Sequence, residues 1–297
     1  MIPVGFTLQP EEAFLDLLGE VIRDEADYHE ITPETLWWAP DEDEARLEEN
    51  GFHAVFAELA RQSGKPCVGH GVGLSVGSGG AEDGARRARW MQAIRRAHAV
   101  FGFRWYTDHL GISAPAGLAA ALPLPLPMTR HAAGVVQQSL RALQEVVPDV
   151  GVENTVSYFM LGDPLDEPRF LGWILDLPRA HLLLDLHNVH TMAVNLGFEP
   201  EAYLARLDLD RVIEIHLSGG SHSNPAWLPS GRVLRLDGHD DAVPEAVWQL
   251  FEEVVPRCRH LRGVTLERME GTVAGPDDAR QVREEVRRAR RTLERGR

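Results

Sequence analysis

Short apolar segments alternate with longer amphipathic segments along the whole chain. A short apolar run between turn residues predicts a buried strand, and apolar positions three or four residues apart predict a helix. The predicted strands cover residues 3–6, 28–31, 67–70, 105–108, 151–153, 182–185, 212–217 and 264–267. The predicted helices cover residues 10–23, 44–63, 82–101, 130–147, 166–177, 199–207, 244–254 and 276–295, with Thr129 and Asp166 as N-caps of the fourth and fifth.

The strict alternation of strand and helix predicts parallel strands joined by helical crossovers. Eight strand–helix units are also the number that closes a barrel. An open doubly wound sheet gives a similar alternation, but no Gly-x-Gly-x-x-Gly motif follows the first predicted strand. We therefore expect a (β/α)8 barrel. Since no linker divides the chain, we expect one domain over residues 1–297.

The ends of the predicted strands carry side chains that bind metals. Because the C-terminal ends of all barrel strands converge on one face, residues there meet in space although they are distant in sequence. A lone His or Glu at a strand end is usually structural, but buried carboxylates are too costly to gather in one cavity without a partner. Six such residues lie at or next to strand ends, namely His70, His109, Glu153, Asp185, His216 and Glu267.

Three further candidates, Asn188, Asp237 and His239, follow on what we expect to be loops just beyond the strands. Together the residues offer more ligands than one ion can use, so we expect two or three metal ions. Imidazole mixed with carboxylate suits Fe, Mn or Zn. Asp108, beside His109, is a candidate to orient that imidazole by a hydrogen bond.

Charge and cysteine content narrow the possible partners. The net charge of −15 opposes binding to nucleic acid and to anionic membrane surfaces, so we expect neither partner. No apolar run approaches the ~18 residues of a membrane helix. The two cysteines, Cys67 and Cys258, form no Cys-x-x-Cys pair. We expect a cytoplasmic protein with reduced thiols.

Several short motifs follow one another in order along most of the chain. They are His70-Gly71-Val72-Gly73-Leu74-Ser75, Asp108-His109-Leu110, Pro123-Leu124-Pro125-Leu126-Pro127, Val152-Glu153-Asn154, Leu183-Leu184-Asp185, Asn188-Val189, Ala193-Val194-Asn195-Leu196-Gly197-Phe198, Glu214-Ile215-His216-Leu217, Asp237-x-His239 and Glu267. In these motifs the chain resembles the DUF692, or UPF0276, family, which includes the iron oxygenase of methanobactin biosynthesis.

The resemblance implies a TIM barrel of the xylose isomerase type. It implies that metals are bound by His70, His109, Glu153, Asp185, Asn188, His216, Asp237, His239 and Glu267. Glu153 would bridge two ions, and Asn188, Asp237 and His239 would form a third site. We expect Glu153, Asp185 and His216 to be the catalytic residues. The chain departs from the family where His187 replaces an Asn, and in residues 218–222, which puts substrate specificity rather than metal binding in question.

By the same resemblance, the cofactor is two or three iron ions, both Fe2+ and Fe3+, with O2 as cosubstrate. The substrate would be a cysteine in a ribosomally synthesised precursor peptide, delivered with a partner protein that binds its leader. Two other hypotheses stay open at this point. One is a divalent-metal isomerase or phosphodiester hydrolase on the same barrel, and the other is a non-catalytic, metal-stabilised scaffold.

Overall fold

The computed structural model describes residues 1–40, 46–80, 83–114 and 123–296. Within these residues, parallel strands close into a barrel in which neighbours in the chain are neighbours in space, and the last strand pairs with the first, Val264 opposite Val4. The barrel strands are β1 (Val4–Leu8), β2 (Tyr28–Ile31), β3 (Cys67–Gly71), β4 (Tyr106–His109), β5 (Val150–Glu153), β6 (Ala180–Asp185), β7 (Val212–Leu217) and β8 (Gly263–Leu266). The predicted (β/α)8 barrel is confirmed.

Helices connect the strands and cover their apolar outer faces. They are α1 (Glu12–Leu17), α2 (Gly51–Ser63), α3 (Gly84–Phe101), α4 (Arg130–Gln144), α5 (Glu167–Ile174), α6 (Leu186–Leu196), α7 (Pro200–Leu204), α8 (Glu245–Val254) and α9 (Pro276–Arg295). The prediction for α9 agrees with the structure to the residue. Among the described residues, no helix is long and apolar enough to cross a membrane.

The prediction was wrong between β6 and residue 199, where the structure contains α6. No turn residue separates strand from helix there, because Asp185 ends β6 and is also the N-cap, its side chain accepting a hydrogen bond from the backbone N–H of Asn188. Asn188 therefore lies in the first turn of a helix rather than on a loop. Its position is fixed by helical geometry.

Two other boundaries needed correction. The helix predicted from residue 44 begins at Gly51, after the N-cap Asn50, and residues 48–49 instead pair with residues 37–38 as a short antiparallel ladder. Residues 44, 45 and 82 lie outside the described residues. The helix predicted over 10–23 is α1 followed by a π-helical turn, Val21–Glu25.

Of the two predicted helix N-caps, one is confirmed. Thr129 accepts a hydrogen bond from Ala132 and caps α4 as predicted. Asp166 occupies the position before α5 but makes no capping bond with its side chain. The side chain of Asp163 instead caps the preceding 3-10 turn, through the N–H of Leu165.

The barrel interior is polar above an aromatic floor. Tyr28, Val68, Trp105 and Ile213 pack together as a cluster separate from the main core. Directly against this floor, the carboxylate of Glu214 accepts hydrogen bonds from the Tyr28 hydroxyl at 2.8 Å and the Trp105 indole at 2.6 Å. The floor therefore closes the lumen from below, and polar groups fill it upward toward the strand ends.

The barrel wall leaves no room for side chains at some glycines. A Cβ at Gly151 in β5 would lie 2.5 Å from the carbonyl oxygen of His181 in the neighbouring strand, which cannot move aside without breaking the ladder. We predict that Gly151→Ala destabilises the fold by about 1–3 kcal/mol, the usual cost of overpacking.

Gly134→Ala is the matched control, because Gly134 lies within α4 and a Cβ there meets nothing within 4 Å. That substitution should stabilise the protein by about 0.5–1 kcal/mol, since alanine is the better helix former. Urea unfolding followed by circular dichroism measures both. Equal stability of the two variants would contradict this account of the barrel wall.

Candidate metal centre

The ends of β3, β4 and β5 bring two imidazoles to one carboxylate. Oε2 of Glu153 lies 3.3 Å from Nε2 of His70 and 2.9 Å from Nε2 of His109. The opposite nitrogen of His70, Nδ1, lies 2.9 Å from the hydroxyl of Thr107, which holds the ring so that Nε2 faces Glu153. Glu153 is 2% exposed and His70 is 4% exposed, so this half of the site is removed from water.

The ends of β7 and β8 and the loop after β7 form the other half. Nδ1 of His216 lies 2.9 Å from Oε2 of Glu267, and Nδ1 of His239 lies 3.7 Å from the same oxygen. Nε2 of His239 lies 2.8 Å from Oδ1 of Asp237. The rings of His70 and His216 are 5.0 Å apart between centroids, which joins the two halves.

Asp185 and Asn188 are the candidate ligands at the start of α6. Oδ1 of Asp185 caps the helix, and Oδ2 is buried without a hydrogen-bond partner among the described residues. The amide nitrogen of Asn188 donates to Oε1 of Glu153 at 3.0 Å, and its buried Oδ1 likewise has no partner there. Asn154 fixes the strand end by bonding both the N–H and the C=O of Asp185 at 2.9 Å. All nine predicted residues thus lie in one connected cluster.

The geometry of these contacts fits metal ions. Nδ1 of His216 and Oε2 of Glu267 approach to 2.9 Å, yet within the described part of the chain neither forms a hydrogen bond, and the same is true of the Asp237 and His239 atoms. Buried polar atoms left in this way require a partner. Three ligand groups have donor atoms within 4.8 Å of one another, namely His70–Glu153–His216, Glu30–His216–Glu267 and Asp185–His239–Glu267. This donor set suits Fe, Mn or Zn.

Glu30, which was not predicted from the sequence as a site residue, is fully buried inside the barrel on β2. Its Oε2 lies 2.8 Å from Nε2 of His216, and its Oε1 accepts a hydrogen bond from the Thr7 hydroxyl at 2.8 Å. A carboxylate on one ring nitrogen leaves the other nitrogen, Nδ1, directed at the metal-binding cluster. A signal was present, since parallel barrel strands are buried on both faces and a charged residue inside one is unusual.

The predicted bond between Asp108 and His109 is absent. Successive residues of a strand point to opposite faces, so His109 faces the lumen and Asp108 faces the surrounding helices. Neither oxygen of Asp108 nor Nδ1 of His109 has a hydrogen-bond partner among the described residues. The prediction was wrong because it treated neighbours in sequence as neighbours in space.

His187, where the family pattern has Asn, is fully buried beside Asp237. Nε2 of His187 lies 3.3 Å from the guanidinium of Arg235, which can only donate, so this nitrogen accepts. Nδ1 then carries the proton and faces Oδ1 of Asp237 at 3.5 Å. In this chain His187 therefore faces a carboxylate of the site without forming a hydrogen bond to it.

Neighbouring carboxylates and imidazoles in the cluster shift each other's pKa values. Burial alone would lower the pKa of His109 and of His239, but the facing carboxylates outweigh burial. Glu153 raises the pKa of His109 to about 9. Glu267, with Asp237, raises the pKa of His239 to about 10. Burial opposes ionisation of Glu267, but His216 and His239 lower its pKa to about 2.

Comparison with known proteins identifies the family. A family model described as RiPP precursor modification enzyme MbnB/TglH/ChrH matches residues 4–294. The chain belongs to this family. A UPF0276 protein of Caulobacter vibrioides (strain NA1000 / CB15N) is 34% identical over 194 residues, 65% of each chain. UPF0276 protein PA14_21580 of Pseudomonas aeruginosa (strain UCBPP-PA14) is 30% identical over 214 residues, 72% of this chain and 70% of the relative. The first alignment thus spans slightly less than two thirds of the relative's length.

Solved structures of the same fold have little sequence in common with this chain. A D-allulose 3-epimerase from Methylomonas sp. superposes with a TM-score of 0.57 at 15% identity, over 99% of this chain and 98% of that one. Endonuclease IV from Thermus thermophilus superposes with a TM-score of 0.53 at 18% identity, over 99% of both chains. A xylose isomerase domain protein from Planctomyces limnophilus gives a TM-score of 0.58 at 13% identity, over 99% of this chain and 97% of that one. The expected xylose isomerase-like barrel is confirmed.

We predict that metal binding releases protons and tightens as the pH rises. With pKa values of about 9 and 10, His109 and His239 are protonated in the metal-free protein at neutral pH, and a metal must displace those protons. The apparent dissociation constant should fall about tenfold per pH unit for each displaced proton. Titration calorimetry in buffers of different ionisation enthalpy measures this, and an affinity independent of pH would contradict it.

The stability of the metal-free fold has the opposite pH dependence and decreases as the pH rises. Both pKa values lie above the 6.5 of a free imidazole, so protonation stabilises the fold at low pH, and this contribution is lost as the pH rises through about 9 and 10.

We predict that Glu30→Gln weakens metal binding by about 10–100-fold, the usual cost of losing a group that orients a metal ligand. The amide has nearly the same shape, so the metal-free fold should persist. Metal content after dialysis and circular dichroism test the two parts. Glu167→Gln is the control, since Glu167 is also buried but bonds Tyr203 at 2.7 Å, outside the cluster. Equal losses of metal in both variants would refute a specific role for Glu30.

Proposed function

We propose that this chain is a multinuclear non-haem iron oxygenase that uses O2 to modify a cysteine of a ribosomally synthesised precursor peptide. One observation carries the proposal: nine candidate metal-binding side chains meet at the barrel mouth of a chain that belongs to a family of RiPP precursor modification enzymes. The cluster combines carboxylate, imidazole and amide donors, and none of its nine residues is a cysteine, which favours iron over a soft metal.

The ligands divide into two groups by exposure. The side chains of His70, Glu153, His216 and Glu267 are at most 7% exposed, whereas those of His109, Asp237 and His239 are 12–19% exposed. Substrate would therefore approach from the side of His109 and the loop that carries Asp237. The buried group would hold the ions in place while the accessible group faces the peptide.

Iron bound here would supply activation of the cysteine thiolate and reduction of O2. The chain's own residues would hold the ions and orient their ligands. Glu153, with one oxygen facing His109 and the other accepting from Asn188, would hold metal at the junction of β4, β5 and α6. His216, fixed by Glu30 on one nitrogen, would present the other to the centre. Asp185 would contribute the oxygen that it does not use to cap α6.

The proposal extends to the partners. The family description names a precursor as substrate, and we propose a cysteine-containing peptide delivered with a leader-binding protein. His187 faces Asp237, and His222 pairs with Arg235, two residues before Asp237. The departures from the family pattern would therefore affect which peptide is accepted rather than whether metal binds.

The test is reconstitution. Metal-free protein is loaded with Fe2+ without oxygen and then given O2 and short cysteine-containing peptides taken from open reading frames beside its gene. The peptide mass and O2 consumption are followed. We predict that Glu153→Gln loses bridging and lowers turnover at least ~100-fold, more than the loss of an outer partner costs. Glu167→Gln should retain activity.

The outcome distinguishes the rival hypotheses. An unchanged peptide mass with no O2 consumption, together with turnover of a ketose or an abasic DNA by the Mn or Zn form, would refute the proposal in favour of an isomerase or hydrolase. Epimerase and endonuclease neighbours share only the fold at 15–18% identity and do not favour that alternative.

A further inference from the structure

A second polar cluster lies on the outer side of the barrel wall. Tyr106 and Asp108 of β4 point away from the lumen, opposite to Thr107 and His109. Both Tyr106 and Asp108 are 0% exposed. They lie beneath the loop after β2, which carries Glu34, and beside Gly71 at the end of β3. None of the nine candidate ligands of the barrel mouth belongs to this cluster.

The oxygens of this cluster are buried and unsatisfied. Among the described residues, both carboxylate oxygens of Asp108, the hydroxyl of Tyr106 and Oε2 of Glu34 have no hydrogen-bond partner. Two of them converge on one point, because a Cβ added at Gly71 would lie 2.5 Å from the Tyr106 hydroxyl and closer still to Oδ2 of Asp108. A glycine at that position keeps the space between them open.

Negative charge in the cluster has no direct counter-charge among the described residues. Oε1 of Glu34 accepts two backbone hydrogen bonds, from Val72 at 2.5 Å and Gly73 at 2.8 Å, and these fix the carboxylate in place. Outside the lumen, the cation that lowers the pKa of Asp108 is Arg86, which forms no ion pair with it. Its guanidinium is already used by Asp83 and by the carbonyl oxygens of Gly73 and Leu74.

We propose that Asp108, Glu34 and Tyr106 bind a hard divalent cation, of the Ca2+, Mg2+ or Mn2+ class, at a site separate from the barrel mouth. Carboxylate and hydroxyl oxygens without any nitrogen or sulfur are the donors that such ions prefer. A divalent charge balances two carboxylates, and a buried pair of like charges is otherwise costly. The ion would tie together the β2 loop, the end of β3 and β4, directly behind His70 and His109.

The site is tested in a protein whose barrel mouth is disabled by Glu153→Gln and Glu267→Gln, so that ions bound there are not counted. After treatment with a chelator, Ca2+, Mg2+ or Mn2+ is added alone, and bound metal and Tm are measured. We expect one cation per chain and a higher Tm with it. Adding Asp108→Asn should abolish both effects, and Tyr106→Phe, which removes a neutral ligand, should weaken binding about tenfold.

Without cation, Asp108→Asn should be at least as stable as its parent, since an uncharged amide costs less to bury than a carboxylate. No binding to the mouth-disabled protein, or binding unchanged by Asp108→Asn, would overturn the proposal. If Asp108→Asn does not fold, the result for Tyr106→Phe decides, and unchanged affinity there counts against the site. Water alone in the cluster would give no Tm response to any of the three ions.

Discussion

Charge buried inside a parallel barrel is the constraint on which the rest of this structure depends. The lumen holds the carboxylates of Glu30 and Glu214, and the mouth above it holds those of Glu153, Asp185 and Glu267. A carboxylate removed from water is stable only with hydrogen bonds or an opposite charge. In the lumen, the hydroxyls of Thr7 and Tyr28 and the indole of Trp105 donate these hydrogen bonds. At the mouth, imidazoles supply them in part, and the unpartnered atoms that remain are those a metal ion would engage.

The aromatic floor and the polar lumen work together. Tyr28 and Trp105 close the barrel and also donate to Glu214, so the same side chains supply apolar packing and hydrogen bonds. Typical barrels of this kind fill the lumen with branched apolar residues. Here two separate groups of hydrogen bonds occupy the interior, one around Glu214 and one in which Glu30 accepts from Thr7 and contacts His216. The orientation of His216 is thus set by a carboxylate inside the barrel.

Much of the fold and most of the site could be predicted from sequence for one physical reason. The C-terminal ends of parallel strands converge, so His70, His109 and Glu153 can be brought together from periodicity alone. Three-dimensional contacts that do not follow strand order could not be predicted. Glu30 contacts His216 across the lumen, 186 residues away in the chain. Asp108 and His109 are adjacent in sequence but face opposite sides of the wall, and α6 was hidden because no turn separates it from β6.

The cap that Asp185 provides for α6 has a consequence for how the site assembles. Because one oxygen already holds the first turn of α6 in place, that helix does not wait for an ion before it forms, and Asn188 is delivered in its final orientation. Little conformational entropy then remains to be lost when a metal arrives. The ion would bind to a preorganised site, so it should exchange by diffusion through the barrel mouth without unfolding of the barrel.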